Sequence, residues 1–295
     1  MRSLLFVPGD SEKKLARGLD SGADALIIDL EDSVAIGNKP MARTLTHNFI
    51  TQSRNHAKRP RLIVRVNALD TGLTDADIDV VVAAAPDAIM LPKAQGGPDV
   101  QHLSNKLAVG EARHGLADQS TAIIPIATET ASAIFGLSSY ARSSVRLEGL
   151  TWGAEDLSAD IGAEANLDAQ GVFTPPYAMA RNMLLFAAAS AGVAAIDTVY
   201  VDFRNDAGLR AECEHARRDG FVAKMAIHPA QVAVINAVFT PDEQAIQRAQ
   251  KIVAAFAANP SLGVIGMDGE MVDRPHLVRA QRTLARAKAA GLDVD

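Results

Sequence analysis

The chain has one cysteine, one tryptophan and only 4% aromatic residues. A single Cys213 excludes an internal disulfide. Its surroundings, RAECEHARRDG, read as helix, and no matching His and Asn arrangement accompanies it, so a buried thiol is expected rather than a nucleophile. No apolar run approaches the ~20 residues of a membrane span. Only LLFV precedes Pro8 at the N-terminus, too little for a signal peptide. A reducing cytoplasm and no membrane contact are therefore expected. No run of basic residues occurs, and few rings are available to stack on bases, which argues against nucleic acid. GxxxxGK[ST] is absent, and no GxGxxG opens a helix after the first strand-like run, which speaks against a P-loop and a dinucleotide fold. The net charge of −6 is modest. It leaves room for an anionic small substrate, because local Arg and Lys set the field in a cleft.

What is present is a periodic pattern. Eight β-type runs recur: SLLFVPG (3–9), DALIIDLED (24–32), RLIVRVN (61–67), DAIMLPK (87–93), AIIPIATE (122–129), LEGLTWGAED (147–156), AIDTVYVD (195–202) and AKMAIHP (223–229). Helical patterns separate them at 11–22, 40–55, 75–85, 98–115, 130–142, 175–192 and 206–220, and 241–260 closes the series. Strand then helix, repeated, is the signature of parallel strands with crossover helices. The expected fold class is α/β, a (β/α)8 TIM barrel over residues 1–260, with an open doubly wound sheet as the competing architecture. The 295-residue length fits one barrel of roughly 250 residues plus an appendage. That appendage, 261–295, holds Gly263, Gly266 and Gly269 and then a helix from about 275 to 290. It is read as a C-terminal helical extension, a lid or oligomerisation segment.

Charged side chains gather at the C-terminal ends of the runs: Glu31 and Asp32, Arg65 and Asn67, Lys93, Glu129, Glu155 and Asp156, Asp202 and Arg204, and His228. A barrel places these ends around one rim, where such barrels carry their chemistry. Glu129 and Asp156 end adjacent runs. Two carboxylates at one open site repel unless a cation lies between them, and oxygen-only donors suit Mg²⁺. The alternative is that both are salt-bridged to Arg65 and Lys93. Arg65, in an otherwise apolar strand, must be paired; its planar fork could bind a substrate carboxylate or hold Glu31. In the triplet Asp29, Glu31, Asp32, alternation puts Asp29 and Glu31 on one face and Asp32 on the other. Lys93 should stay protonated among carboxylates rather than act as a nucleophile. His228 reads as a structural histidine, and the GAED segment at 153–156 as a turn that could offer N–H groups to an anion.

These stretches resemble the CitE-like CoA-ester lyases, in the superfamily of the citrate lyase β subunit and the HpcH/HpaI aldolases. The matching segments include RSLLFVPGD (2–10), DALIIDLEDSV (24–34), VRVNALDTG (64–72), IMLPKA (89–94), ATETA (127–131), WGAEDLSADIG (152–162), KMAIHPAQV (224–232) and DGEMVDRPHLVRA (268–280). The resemblance covers essentially the whole chain, in order. It implies a TIM barrel, usually a homotrimer or larger, with Mg²⁺ held by Glu129 and Asp156 and the keto-acid end bound by Arg65 and Glu129. It implies Asp273 as the general acid/base, serving a neighbouring subunit; from their own positions at the strand ends, Glu31, Asp32 and Lys93 are the candidates to support the site. The implied reaction is reversible Claisen-type cleavage of a 3-hydroxyacyl-CoA of the citramalyl-CoA or malyl-CoA type to acetyl-CoA and a 2-keto acid. The alternatives are a citrate lyase β subunit acting on a citryl-acyl-carrier protein, a malyl-CoA thioesterase, or a non-catalytic keto-acid-binding barrel.

Overall fold

In the computed structural model, which describes residues 1–56 and 58–294, strands and helices alternate around a barrel. The order begins β1 (Ser3–Pro8), α1 (Glu12–Leu19), β2 (Ala25–Asp29), α2 (Lys39–Ser53), β3 (Arg61–Arg65), α3 (Thr74–Val81), β4 (Ala88–Leu91) and α4 (Gly97–Arg113). It continues β5 (Ala122–Pro125), α5 (Ala131–Gly136), β6 (Gly149–Thr151), α6 (Ala154–Ile161), α7 (Pro175–Ala191), β7 (Ala194–Asp197), α8 (Asp206–Asp219), β8 (Ala223–Ala226) and α9 (Pro229–Phe239). The chain ends with α10 (Glu243–Ala258), β9 (Val264–Met267), β10 (Glu270–Asp273) and α11 (Arg274–Ala289).

All eight apolar runs are strands. Seven parallel pairings join them in the order β5-β4-β3-β2-β1-β8-β7-β6. Bridges from Ile123 to Leu147 and from Ile126 to Thr151 bring β5 and β6 together. The expected (β/α)8 barrel is therefore the fold, and the open sheet is not. Strand alternation sorts the core into two layers. Leu4, Ala25, Ile27, Ile63, Ala88, Met90, Ile124, Ile196 and Met225 fill the interior. Leu5, Val7, Leu26, Ile28, Leu62, Val64 and Leu150 face the helices.

Three elements differ from the sequence reading. The eighth barrel helix is α9, not the segment at 241–260. His228 Nδ1 accepts the Ala230 N–H and Pro229 takes the first turn, so the helix starts directly at the strand exit. The GAED segment is not a free turn but the first turn of α6, so Glu155 and Asp156 sit at a helix N-terminus. The glycine-rich stretch contains a hairpin: β9 and β10 pair antiparallel across Asp268-Gly269, both at positive φ (52° and 80°). That is the Asp-Gly chemistry of a tight two-residue turn. Helices α10 and α11 and this hairpin share an apolar cluster of their own, with Ile252, Phe256, Val272 and Ala280 at its centre. Among the described residues no helix is long and apolar enough to cross a membrane.

Candidate active site

Strand register builds the site. β2 and β3 pair so that Asp29 lies opposite Arg65. The guanidinium meets Asp29 with both arms, Nε to Oδ1 at 2.7 Å and Nη2 to Oδ2 at 2.8 Å. Nη1 lies 2.8 Å from Glu31 Oε2 and 3.5 Å from Asp32 Oδ2. Two of the five guanidine N–H groups are thus hydrogen-bonded, Nη1 is held in ion pairs only, and the group also stacks 4.9 Å from the Phe6 ring centre. Burial pushes the Asp29 carboxyl up, but the Arg65 fork outweighs it and holds Asp29 below the usual carboxylate range.

Lys93 follows Pro92 with φ of 52°. This turn directs its backbone N–H to Glu129 Oε2, at 2.5 Å. Its Nζ donates to Glu31 Oε1 at 2.6 Å and lies 3.2 Å from Asp156 Oδ1. Burial lowers the Lys93 pKa, yet the Glu31 hydrogen bond and the surrounding carboxylates raise it overall, so the amine is a cation as expected. Glu129 is only 3% exposed. Burial, and then the charge of Asp156, push its carboxyl up to about 8. Glu31 is likewise raised, by burial first. Gly153 is what lets Glu129 sit here, because a Cβ on it would lie 2.8 Å from Glu129 Cγ.

Five carboxylates (Asp29, Glu31, Asp32, Glu129, Asp156) thus share two cations, Arg65 and Lys93. The cluster is short of positive charge, and the shortage falls on Glu129. A divalent cation between Glu129 and Asp156 would relieve it, so the donor set fits Mg²⁺. Among the described residues no three His, Cys, Asp or Glu side chains converge as a closed cage. A hard ion held by two carboxylates keeps positions for substrate and water.

These groups open on a cleft of about 1160 Å³. Arg65, Asp29, Asp32, Glu129, Glu155 and Asp156 line it, while Glu31 and Lys93 brace the lining from beside it. His228 lines it too, as the α9 cap expected of a structural histidine, and stacks on Phe203 at 4.6 Å. Asp202 and Arg204 lie past the end of β7 and are not among the lining residues. Asn67 is buried and holds the β3–α3 loop through Asp77. Asp273 caps α11 and is not part of the cleft of its own chain.

Sequence reasoning missed three groups. Lys14 and Arg17 on α1 line the cleft; their i, i+3 spacing was a visible sign that they share a face. Trp152, also at the cleft wall, donates Nε1–H to Asp197 at 2.8 Å. Asp197 in turn binds Lys224, which is fully enclosed. Cys213 is buried and its thiol is pushed up to about 12, chiefly by burial, so it is inert as expected.

The model of the family described as HpcH/HpaI aldolase/citrate lyase matches residues 2–229. The chain is 34% identical to the citrate lyase subunit beta of Leuconostoc mesenteroides subsp. cremoris, over 98% of this chain and 93% of that protein. It is 35% identical to a (3S)-malyl-CoA thioesterase of Cereibacter sphaeroides, over 98% and 95%. Its fold is similar to the crystal structure of CitE from Mycobacterium tuberculosis in complex with magnesium, acetoacetate and coenzyme A: TM-score 0.76, 29% identity, 97% of this chain and 98% of that one.

Proposed function

The chain belongs to the HpcH/HpaI aldolase/citrate lyase family and is a lyase of the CoA-ester type; we propose that it cleaves a 3-hydroxyacyl-CoA, of the citramalyl-CoA or malyl-CoA type, to acetyl-CoA and a 2-keto acid with Mg²⁺. The observation that carries this reading is the pair Glu129 and Asp156 on the cleft, in a cluster of five acids that Arg65 and Lys93 only partly neutralise. A buried carboxyl pushed up to about 8 by burial and a second acid has no stabilising purpose in the fold. It makes sense as a metal ligand.

In this reading Glu129 and Asp156 hold the ion. When bound, Mg²⁺ supplies Lewis-acid polarisation of the hydroxyl and carboxylate of the keto-acid half. Lys93 fixes Glu129 through its backbone N–H, and its ammonium group, tied to Glu31, keeps Asp156 turned to the cleft. Arg65 is anchored by Asp29 and retains free N–H groups. They bind the substrate carboxylate and stabilise negative charge as the carbon–carbon bond breaks. Asp273 gives a proton to the acetyl carbon in cleavage and removes it in condensation. Its position outside its own chain's cleft supports service to a neighbouring subunit in a homotrimer or hexamer.

The test is a Mg²⁺-dependent assay of the purified chain on (S)-citramalyl-CoA and (S)-malyl-CoA, following acetyl-CoA, keto acid and free hydroxy acid together. Acetyl-CoA plus keto acid, lost with EDTA, is the expected outcome. Two further readings have named relatives behind them. Free malate appearing with CoA would favour the thioesterase. Turnover only of a carrier-bound citryl group would favour a citrate lyase β role. Tight keto-acid binding with no turnover of any thioester would leave a binding barrel.

A further inference from the structure

Asp273 does not stand alone. It ends β10 and is the N-cap of α11, and His276 is the third residue of that helix. His276 Nδ1 lies 2.5 Å from Asp273 Oδ1. A ring nitrogen and a carboxylate oxygen approach this closely only with a proton between them. Nδ1 therefore carries the hydrogen and donates it. The Asp273 backbone N–H also points at Nδ1, from 3.3 Å, but a protonated Nδ1 has no lone pair to accept it, and the shorter contact decides. The His276 backbone N–H points to Oδ1 as well, at 3.4 Å. Both contacts end on Oδ1. Among the described hydrogen bonds none ends on Oδ2.

We propose that His276 is the positioning residue for Asp273: its Nδ1–H clamps Oδ1 and presents Oδ2 as the atom that exchanges a proton with the substrate. This rests on the assignment of Asp273 as acid/base. In condensation, Oδ2 takes a proton from the acetyl α-carbon, and the C–H electron pair becomes the enolate that forms the new carbon–carbon bond. In cleavage, Oδ2 takes the proton of the substrate hydroxyl as that carbon becomes the keto carbonyl. The electron pair of the breaking bond becomes the enolate, and the carboxyl then delivers that proton to the α-carbon. In condensation the same proton travels the other way, from the α-carbon to the new alkoxide. The clamp also holds the resting carboxyl below its usual range, through the His276 hydrogen bond. Of the charged groups on the surrounding elements, Arg248 and Glu270 pair with each other. Lys251, Asp268, Arg274 and Arg279 make no described hydrogen bond to Asp273. His276 is the partner that sets its state.

A purely structural role is the competing explanation, because His276 is the third residue of α11 and its backbone N–H and side chain both face the Asp273 cap. His276→Gln separates the two, since glutamine is itself a good third residue of a capping box but has no imidazole. The variant should melt like the parent. Its kcat should fall roughly ten- to a hundredfold, the loss expected of a misplaced catalytic group, with KM little changed. The acid limb of its kcat profile should move to higher pH. An unchanged limb and kcat in His276→Gln would overturn the proposal. Asp273→Asn tests the underlying assignment by itself: full activity there removes the acid/base role, whatever His276 does. A measurement independent of turnover is the ¹³C titration of the Asp273 carboxyl, identified by its loss in Asp273→Asn. Its midpoint should rise in His276→Gln, and a midpoint that stays put overturns the proposal even if neither thioester proves to be the substrate.

Discussion

Asp197 on β7 and Lys224 on β8 are wholly enclosed, whereas Glu129 and Asp156 sit where the barrel opens. Both pairs place charge at barrel strands, yet their surroundings differ in kind. Lys224 Nζ reaches Asp197 at 3.0 Å and Glu212 at 2.6 Å. Lys224 holds Asp197 Oδ2, while the Arg181 Nε adds a second cation 3.5 Å from Oδ1 and Trp152 donates to that same oxygen. Burial pushes Asp197 up and Lys224 down, but the partners win in both cases: the acid ends below its usual range and the amine above. Every charge there is answered by the protein. At the rim, burial wins instead, and Glu129 is driven to about 8. The difference teaches how to tell scaffold from site. A buried ion pair that is solved internally holds the fold; one left unsolved at a cleft is waiting for something to bind.

Breaking each cluster should produce opposite phenotypes. Lys224→Met leaves Asp197 enclosed with the Trp152 N–H and, at 3.5 Å, the Arg181 guanidinium as its described partners. Removing one partner of a buried pair costs about 3 kcal/mol or more, so chemical denaturation should show a large loss of stability. Glu129→Gln should do the reverse. Activity should fall about a thousandfold, the scale of removing one strong electrostatic element of a site, while the metal-free protein melts no lower than the parent at pH 8. Stability falling in both variants would erase the distinction. Gly153→Ala should act more mildly. Its new Cβ would meet Glu129 Cγ at 2.8 Å, and moving that carboxyl by a fraction of an ångström should weaken Mg²⁺ binding and cost roughly tenfold in kcat. Isothermal titration with Mg²⁺ alone checks the first half of that statement.

The rim was more legible in the sequence than the scaffold cluster. Strand exits interrupt apolar runs with charge, so Arg65, Lys93, Glu129 and Asp156 stood out against their neighbours. The strand pattern itself came from long, β-branched runs that only tertiary closure had to confirm. Asp197 was hidden because AIDTVYVD reads as one strand through residue 202, whereas β7 stops at Asp197. Lys224, inside AKMA, shows nothing in sequence of the two acids that surround it, because Asp197 and Glu212 come from different elements. Short elements were missed for another reason. Helix α6 has only eight residues, too few for a periodic stripe to emerge, and α9 is apolar enough to blend with the strand before it. The β9–β10 hairpin did carry a signal, Asp268-Gly269 between alternating residues, but the flanking glycines read as loop. The state of Glu129 could not be read at all, since it depends on burial and on Asp156 across the gap between two strands.

The contrast can be sharpened with pH. In the metal-free fold the Glu129 carboxyl titrates near 8, against an ordinary value of 4.5. Between those values the folded chain holds a proton that the unfolded chain has released. Stability from this group is therefore fully present below about 4.5 and is lost as pH rises through 8. Asp197 has the opposite sign: its folded pKa is depressed, so its contribution is intact above the ordinary carboxylate range and is lost only in acid. Across pH 5.5–8.5 the scaffold pair should thus be silent and the rim should speak. The metal-free parent should lose several degrees of Tm over that range, at about 2–4 °C per kcal/mol for a chain of this size. Saturating Mg²⁺ should flatten the slope, because the ion displaces the proton and supplies the missing charge. Glu129→Gln should show a flatter slope without metal, and Mg²⁺ should no longer change it. The difference between variant and parent isolates Glu129 from the histidines, which titrate in both. Equal slopes in the two proteins, with and without Mg²⁺, would mean that the rim carboxylates are as well answered by the protein as Asp197 is, and the case for a metal at this site would go with them.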